Sequence, residues 1–344
     1  MKHNVEILPS KVNYECEADE TLLSSALNAG VILPYGCKNG VCGSCKSEIV
    51  EGKVDYGHYQ QKALPDEEKA QGKVLTCCAK PLSAVVLKAR ALTGLGDFPV
   101  LKMPCRVNSI EFAAPDVAIL TLQLPANQVF QFNAGQYIEF ILSDGIRRSY
   151  SMANPPSLTG KLELHIRHMP GGVFTDTVFS TLKARDILRL EGPLGAFFLR
   201  QSDKPVVLLA SGTGFAPIKS LLEDAFEKQL NRQFIFYWGA RTKPDLYLLN
   251  LVEQWQQQYE HFKFIPVLSA PTSECHWQGR TGFVHHAVMA DFPNLAGYQV
   301  YACGAPIVIR SALADFTKQC GLPEEEFYAD SFTSLADIDA SSPK

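Results

Sequence analysis

No run of apolar residues in this chain approaches the roughly 20 that a helix needs to cross a bilayer. The opening residues, MKHNVEILPS, lack the apolar centre of a secretory leader. A cytoplasmic setting is therefore expected, where thiols stay reduced and clustered cysteines bind metal more often than they form disulfides. Neither sign of charge dominates: 32 Lys and Arg stand against 36 Asp and Glu, a mild acidity of net charge −4. That balance gives no reason to expect nucleic acid or an anionic membrane as partner. Internal repeats and low-complexity tracts are missing, and so is any helix-turn-helix or long coiled segment through which a sensor would signal. What is present is an ordinary globular composition, 46% hydrophobic and 20% charged, with 344 residues for two or three domains.

Three stretches of different character follow one another. Residues 1–92 open with strand-like NVEILP, and the segment from Thr21 to Asn28 looks helical, with Asp19 as candidate cap and Gly30 as the stop. LPDEEKAQG sets Pro65 at a second helix start, acids in its first turn and Gly72 past its end. VLTCCAKP and AVVLKAR read as short strands. Residues 93–104, TGLGDFPVLKMP, show little periodicity and read as a linker. Over residues 105–201, CRVNSIEF, VAILTLQL, QYIEFIL, KLELHIR and DILRLEGP are short strands punctuated by turns, the pattern of a barrel or sandwich. Over residues 202–333, the strands PVVLLA, QFIFYWGA, HFKFIPVLSA and YQVYACG alternate with helical stretches. Such alternation implies a parallel sheet with binding loops at its carboxyl ends. Residues 334–344 read as a polar tail.

Only one group among the ten cysteines has ligand-like spacing. Cys37, Cys42 and Cys45 crowd into YGCKNGVCGSCK, and Cys77 follows in VLTC. A zinc ribbon supplies two CxxC pairs, and here there is one. C-x4-C-x2-C with a distant fourth cysteine is the plant-type [2Fe–2S] spacing. Gly36, Gly40 and Gly43 let the loop wrap tightly and turn backbone N–H groups toward the sulfurs. A structural zinc knot is the alternative, and Cys78 is the other candidate for the fourth ligand.

Residues 1–92 resemble a plant-type ferredoxin joined to a ferredoxin–NAD(P)H reductase-like module. In that family VLTC carries the fourth ligand, which favours Cys77 and leaves Cys78 as a small buried residue. RRSYS matches the family's R-x-Y-S motif as Arg148, Tyr150 and Ser151. An arginine fork suits a pyrophosphate, an aromatic ring covers a flavin face, and a hydroxyl reaches the flavin N5 region. GGVFTDTVF matches G-x-x-S/T from Gly172 to Thr175, with the N–H groups of Val173, Phe174 and Thr175 at a helix N-terminus as an anion site. FAD is expected over FMN because fusions of this type carry it. His165 and His168 fall on the polar alternation around Leu162, Leu164 and Ile166, which places them on the strand surface.

ASGTGFAP is not G-x-G-x-x-G, since Pro217 holds the third glycine position. It resembles the family's G-T-G-x-A-P loop, with Gly212, Thr213 and Gly214 approaching the nucleotide. YWGAR ends the next strand at Arg241, where the adenosine ribose is expected. YACGAP resembles the C-G-x-P loop, which brings Cys303 and Gly304 to the place of hydride transfer. In FYADSF the resemblance gives Asp330 a poising role there and makes Phe332 a shield over the flavin. Arg241 with Lys243 would suit a 2′-phosphate, whereas Asp245 and the likeness of GAR…DLY to NADH-using reductases favour NADH, with NADPH as the alternative.

The resemblance covers about residues 3–333 and implies a multidomain α+β and α/β chain. Its parts are a β-grasp [2Fe–2S] ferredoxin domain (1–92), an antiparallel Greek-key β-barrel for flavin (105–201) and a parallel-sheet α/β NAD(P)-binding domain (202–333). The implied activity is that of an NAD(P)H-dependent oxidoreductase, with Ser151, Cys303 and Asp330 as catalytic candidates. Electrons would pass from NADH through FAD to the cluster, and singly to a terminal oxygenase or a dehydrase. LPYGCKNGVCGSCK and CCAKP look most like reductases that serve a CDP-6-deoxyhexose 3-dehydrase. A free-flavin or diaphorase-type reductase is the remaining alternative.

Overall fold

The computed structural model describes residues 1–90, 98–143 and 145–332. The chain divides into two compact units, Met1–Asp97 with Asp330–Lys344, and Phe98–Ala329. Among the described residues no helix is long and apolar enough to cross a membrane.

The first unit runs β1 (Lys2–Leu8), β2 (Val12–Glu17), α1 (Leu22–Asn28), β3 (Lys46–Glu51), β4 (Val54–Asp55), α2 (Asp66–Ala70), β5 (Lys73–Leu75), β6 (Lys80–Pro81) and β7 (Val85–Lys88). Its main sheet has the order β2-β1-β7-β3-β5, with β1 and β7 parallel and the other pairs antiparallel, a β-grasp. Helix α1 buries Leu22, Leu23 and Ala26. Its cap is Thr21, whose side chain accepts from Ser24 N at 3.2 Å, so Asp19 does not cap it. A threonine one residue before the helix reaches the orphan N–H groups of the first turn, and an acid two residues earlier does not. Gly30 ends the helix in the left-handed region at φ +74. Pro65 stands at the cap of α2, one position before its first helical residue. VLTCCAKP is not one strand: β5 and β6 flank a turn that carries Cys77 and Cys78.

The second unit opens with β8 (Leu101–Ala114), β9 (Val117–Gln123), β10 (Tyr137–Ile141), β11 (Arg147–Ser151), β12 (Lys161–Arg167), α3 (Val173–Ser180) and β13 (Ile187–Leu194). The stretch read as a linker over 93–104 overlaps β8 in its last four residues, and 93–97 lie outside the described residues. Leu101 and Met103 alternate inward with Cys105 and Val107, a period-two signal that Pro104 disguises. The antiparallel sheet has the order β11-β10-β13-β8-β9-β12, and a bridge between Met152 and Leu164 brings its two edges together as a barrel. Its inward side chains include Leu120, Leu122, Ile138, Phe140, Leu162, Leu164 and Ile166. Each such buried side chain stabilises the fold by about 1.5–3 kcal/mol relative to exposure.

The chain continues through β14 (Val206–Ser211), α4 (Phe215–Glu227), β15 (Phe234–Ala240), α5 (Leu249–Gln258), β16 (Phe262–Leu268), β17 (Arg280–Thr281), α6 (Val284–Asp291), β18 (Gln299–Gly304), α7 (Pro306–Gln319) and β19 (Phe327–Ser331). The sheet order is β17-β16-β15-β14-β18-β19, and β14 pairs in parallel with both β15 and β18. From β14 the chain builds outward to β17 on one side and then returns to lay β18 on the other. That reversal opens a crevice at the carboxyl end of β14, the place where such sheets bind ligands.

Candidate functional site

The loop between α1 and β3 and the turn after β5 hold the four spaced cysteines in two pairs. Cys37 and Cys42 lie side by side, and so do Cys45 and Cys77. Three backbone N–H groups point at the first pair: Cys42 N at Cys37 Sγ (3.4 Å), and Cys37 N and Ser44 N at Cys42 Sγ (3.5 Å each). Gly40 N–H faces Cys77 in the same way. The Cys42 thiol and the N–H groups of Asn39, Val41 and Cys42 draw the Cys37 thiol below its ordinary pKa, against the effect of burial. No three of the four sulfurs lie mutually within 4.8 Å. A single tetrahedral zinc would need all of them about 3.8 Å apart. Four thiols in two pairs, with amides aimed at the sulfurs, fit a cluster of two irons instead. Cys78 is half-buried and its sulfur lies 2.6 Å from where a Gly40 side chain would begin. With φ at +75 as well, Gly40 admits no other residue without moving the loop.

In the second unit β11 ends with the R-x-Y-S residues. Arg148 is half-buried; its Nη1 donates to the Arg147 carbonyl at 2.8 Å, and its Nη2 is buried without a hydrogen-bond partner. Leaving such a donor unmet costs about 1–3 kcal/mol, and a flavin phosphate is the acceptor that would meet it. Tyr150 packs against Phe140 and Phe174 at centroid distances of 5.9 and 5.4 Å, and burial raises its phenol so that it stays neutral. Ser151 is buried. Gly172 caps the first turn of α3 without a side-chain bond, and a side chain there would begin 2.5 Å from Thr175 Oγ1 and 2.8 Å from Met169 O. Val173 is exposed at that turn. Thr175 Oγ1 donates to Met169 O (2.9 Å) and accepts from Met169 N (3.2 Å), fixing the turn from behind. His168 holds Asp176 at 2.9 Å and stacks on Phe179.

At the carboxyl end of β14 two turns meet backbone to backbone. A side chain on Gly214 would begin 2.2 Å from Cys303 O, and one on Gly304 would begin 2.2 Å from Ser211 Oγ. Ser211 Oγ accepts from Ala305 N at 3.0 Å, and Trp238 Nε1 donates to Gly212 O at 3.0 Å. Thr213 is half-buried beside them, and Cys303 is fully buried. Glycines here let the two turns touch at the end of β14, the place where such sheets take a dinucleotide. Arg241 is exposed just past β15. Asp245 is engaged within its own turn, its Oδ2 accepting from Thr242 N (2.9 Å) and Oγ1 (3.0 Å). Asp330 is buried in the last strand, and Phe332 lies half-buried just beyond it.

His165 is not strand surface: its side chain is wholly buried. The polar face of β12 is covered by α4 and Tyr247, which sequence alternation could not reveal. His165 Nε2 pairs with Glu163 at 3.0 Å and Nδ1 with Tyr247 Oη at 2.8 Å. Lys219 of α4 reaches Glu163 (3.1 Å), Glu223 (2.8 Å) and the Ala153 carbonyl (3.3 Å). Burial pushes the Glu163 carboxyl up, but the His165 hydrogen bond and the Lys219 charge outweigh it and hold it at about 2. Arg167, at the end of the same strand, was also missed. Its Nη1 lies 2.8 Å from where a Gly212 side chain would begin, and its other nitrogens face Asp116 (3.0 Å) and Asp245 (3.6 Å). Nothing in the local sequence marks it, because the turn it covers lies 45 positions later, 212 − 167.

Residues 5–82 match a family described as "2Fe-2S iron-sulfur cluster binding domain". Residues 104–199 match "Oxidoreductase FAD-binding domain" and 208–313 match "Oxidoreductase NAD-binding domain". The chain is 40% identical over 332 residues to a CDP-6-deoxy-L-threo-D-glycero-4-hexulose-3-dehydrase reductase of Yersinia pseudotuberculosis, covering 96% of this chain and 99% of that one. It is 34% identical over 335 residues to a terephthalate 1,2-dioxygenase reductase component of a Comamonas species, covering 97% and 98% of the two chains. An Amycolatopsis cytochrome P450 reductase of known structure superposes with a TM-score of 0.77 at 32% identity, over 96% of this chain and 99% of its own.

Proposed function

We propose that this chain, which belongs to the NAD(P)H-dependent iron–sulfur flavoprotein reductases, serves one separate redox enzyme as its source of single electrons. The paired sulfurs carry this reading, because a cluster domain is redundant in an enzyme that only hands electrons to small acceptors. The cofactors supply the redox chemistry when bound: NADH a hydride, FAD the conversion of a two-electron input to one-electron output, and the cluster one-electron transfer.

The residues divide that work. Cys37, Cys42, Cys45 and Cys77 hold the irons, and the amides around them favour added negative charge on the sulfurs. Arg148 would neutralise a flavin phosphate together with the first-turn N–H groups of Val173 and Thr175, at the helix start that Gly172 caps. Tyr150 would cover one flavin face, and Ser151 would offer the flavin a hydroxyl. Gly212, Thr213, Gly214 and Gly304 admit the nucleotide, with Arg241 beside its ribose. By resemblance Cys303 and Asp330 would each serve hydride transfer, and Phe332 would shield the flavin.

For the acceptor, the 40% identity to a dehydrase reductase favours a dehydrase that acts on a CDP-linked deoxyhexulose. A ring-hydroxylating oxygenase is the second reading, supported by the 34% identity to a dioxygenase reductase. Anaerobic mixing of the NADH-reduced protein with each purified partner class separates them: the true acceptor oxidises the cluster far faster than the other. Cys42→Ser tests the path itself. It should abolish cytochrome c reduction and spare ferricyanide reduction, and undiminished cytochrome c reduction would sink the proposed route.

A further inference from the structure

We propose that His285, His286 and Asp315 form a binding site for a divalent transition metal of the zinc type, tying α6 to α7. One ligand atom from each of the three lies within 4.8 Å of the others. His285 is 7% exposed. Its Nε2 faces Asp315 Oδ2 at 3.4 Å, well beyond the roughly 2.7–2.9 Å of a charge-assisted hydrogen bond. That Nε2–Oδ2 gap is too long for a strong hydrogen bond and is close to the separation of two ligands on one metal.

The surroundings suit a cation. Gln319 Nε2 donates to Asp315 Oδ1 at 2.9 Å, which leaves Oδ2 turned toward His285. Such a partner orients a carboxylate ligand from behind. Two imidazole nitrogens and one carboxylate oxygen are a donor set for zinc, nickel or cobalt, with a fourth position for water. Ligand atoms on zinc stand about 3.4 Å apart, and exposed His286 has the freedom to swing inward and close that distance. The site shares no residue with the cysteine cluster and uses harder ligands.

Its placement gives it leverage. Val284, the first residue of α6, lies 2.8 Å from where a Gly239 side chain would begin at the end of β15. Helix α7 starts at Pro306, directly after the Cys303–Gly304 turn. A metal here fastens together two helices that rise from opposite walls of the nucleotide crevice, and so stiffens that unit.

The test is calorimetric titration of the cluster- and FAD-loaded full chain with zinc sulfate, alongside its thermal unfolding. One equivalent of zinc should bind and raise the melting temperature. His286→Ala, at an exposed position that the fold does not need, should lose that equivalent and the temperature rise. Asp315→Asn should weaken binding at least tenfold, and Cys275→Ser should leave it unchanged. Equal zinc binding by the wild type and His286→Ala, or no zinc binding by the wild type, overturns the proposal.

Discussion

Replacing Gly214 with alanine puts a methyl group where the backbone leaves no room. Its carbon would stand 2.2 Å from Cys303 O, 2.6 Å from the carbonyl carbon and 2.9 Å from Gly304 N. Ordinary contact begins at 3.4 Å, so the two turns must part by about 1.2 Å, the difference between 3.4 and 2.2 Å. No flexible side chain can swing aside, since every obstructing atom is backbone. The Ala305–Ser211 and Trp238–Gly212 hydrogen bonds resist the separation. Gly214 has helical angles, φ −57 and ψ −11, so alanine meets no dihedral strain and the effect is purely steric. A misplacement of about 1 Å in a positioning loop lowers a rate roughly 100-fold. Stopped-flow reduction of the bound flavin by NADH, without oxygen, measures it once absorbance has shown full cofactor loading. Gly297→Ala is the control, because nothing lies within 4 Å of that position. A fully loaded Gly214→Ala protein reduced at the wild-type rate would refute the claim that these touching turns shape the nucleotide site.

Cys77→Ser should eliminate the cluster's visible absorbance, whereas Cys78→Ser should keep it; the opposite result would transfer the ligand role to Cys78. Arg148→Ala should weaken FAD retention roughly 10- to 150-fold, the loss of a charge-assisted bond of about 1.5–3 kcal/mol, measured by fluorescence of released flavin. Glu163 provides a pH test. Its folded pKa of about 2 lies below the ordinary carboxylate range, so its stabilisation is full above that range and fades as pH falls toward 2. At most roughly 3 kcal/mol is involved. Glu163→Gln should therefore remove part of the stability lost between pH 5 and 2, read as urea midpoints in a Cys42→Ser background free of the acid-labile cluster. An unchanged acid decline would show that Lys219 and His165 do not hold that charge.

The cysteine loop and the glycine turns were legible because each packs its chemistry into a short stretch. Cys37, Cys42 and Cys45 carry their spacing on their face, and Gly212 and Gly214 follow directly on an apolar strand. Two local misreadings were small: Thr21 rather than Asp19 caps α1, and Pro104 concealed the inward alternation that starts at Leu101. The larger failures were long-range. His165 sits on the polar side of β12 by alternation, yet Lys219 of α4 and Tyr247 cover that side from far later in the chain. Arg167 over Gly212, and the meeting of His285 with Asp315, depend equally on packing between distant elements. Periodicity reports which face of a strand is polar, and tertiary structure decides what that face meets.

Anaerobic titration of the purified holoprotein with NADH, followed by visible absorbance and low-temperature EPR, tests the central claim most directly. Electron flow from NADH through FAD to the cluster predicts flavin bleaching together with the rhombic signal of a reduced [2Fe–2S] centre. Bleaching of the flavin with a cluster that is present but stays oxidised would contradict it.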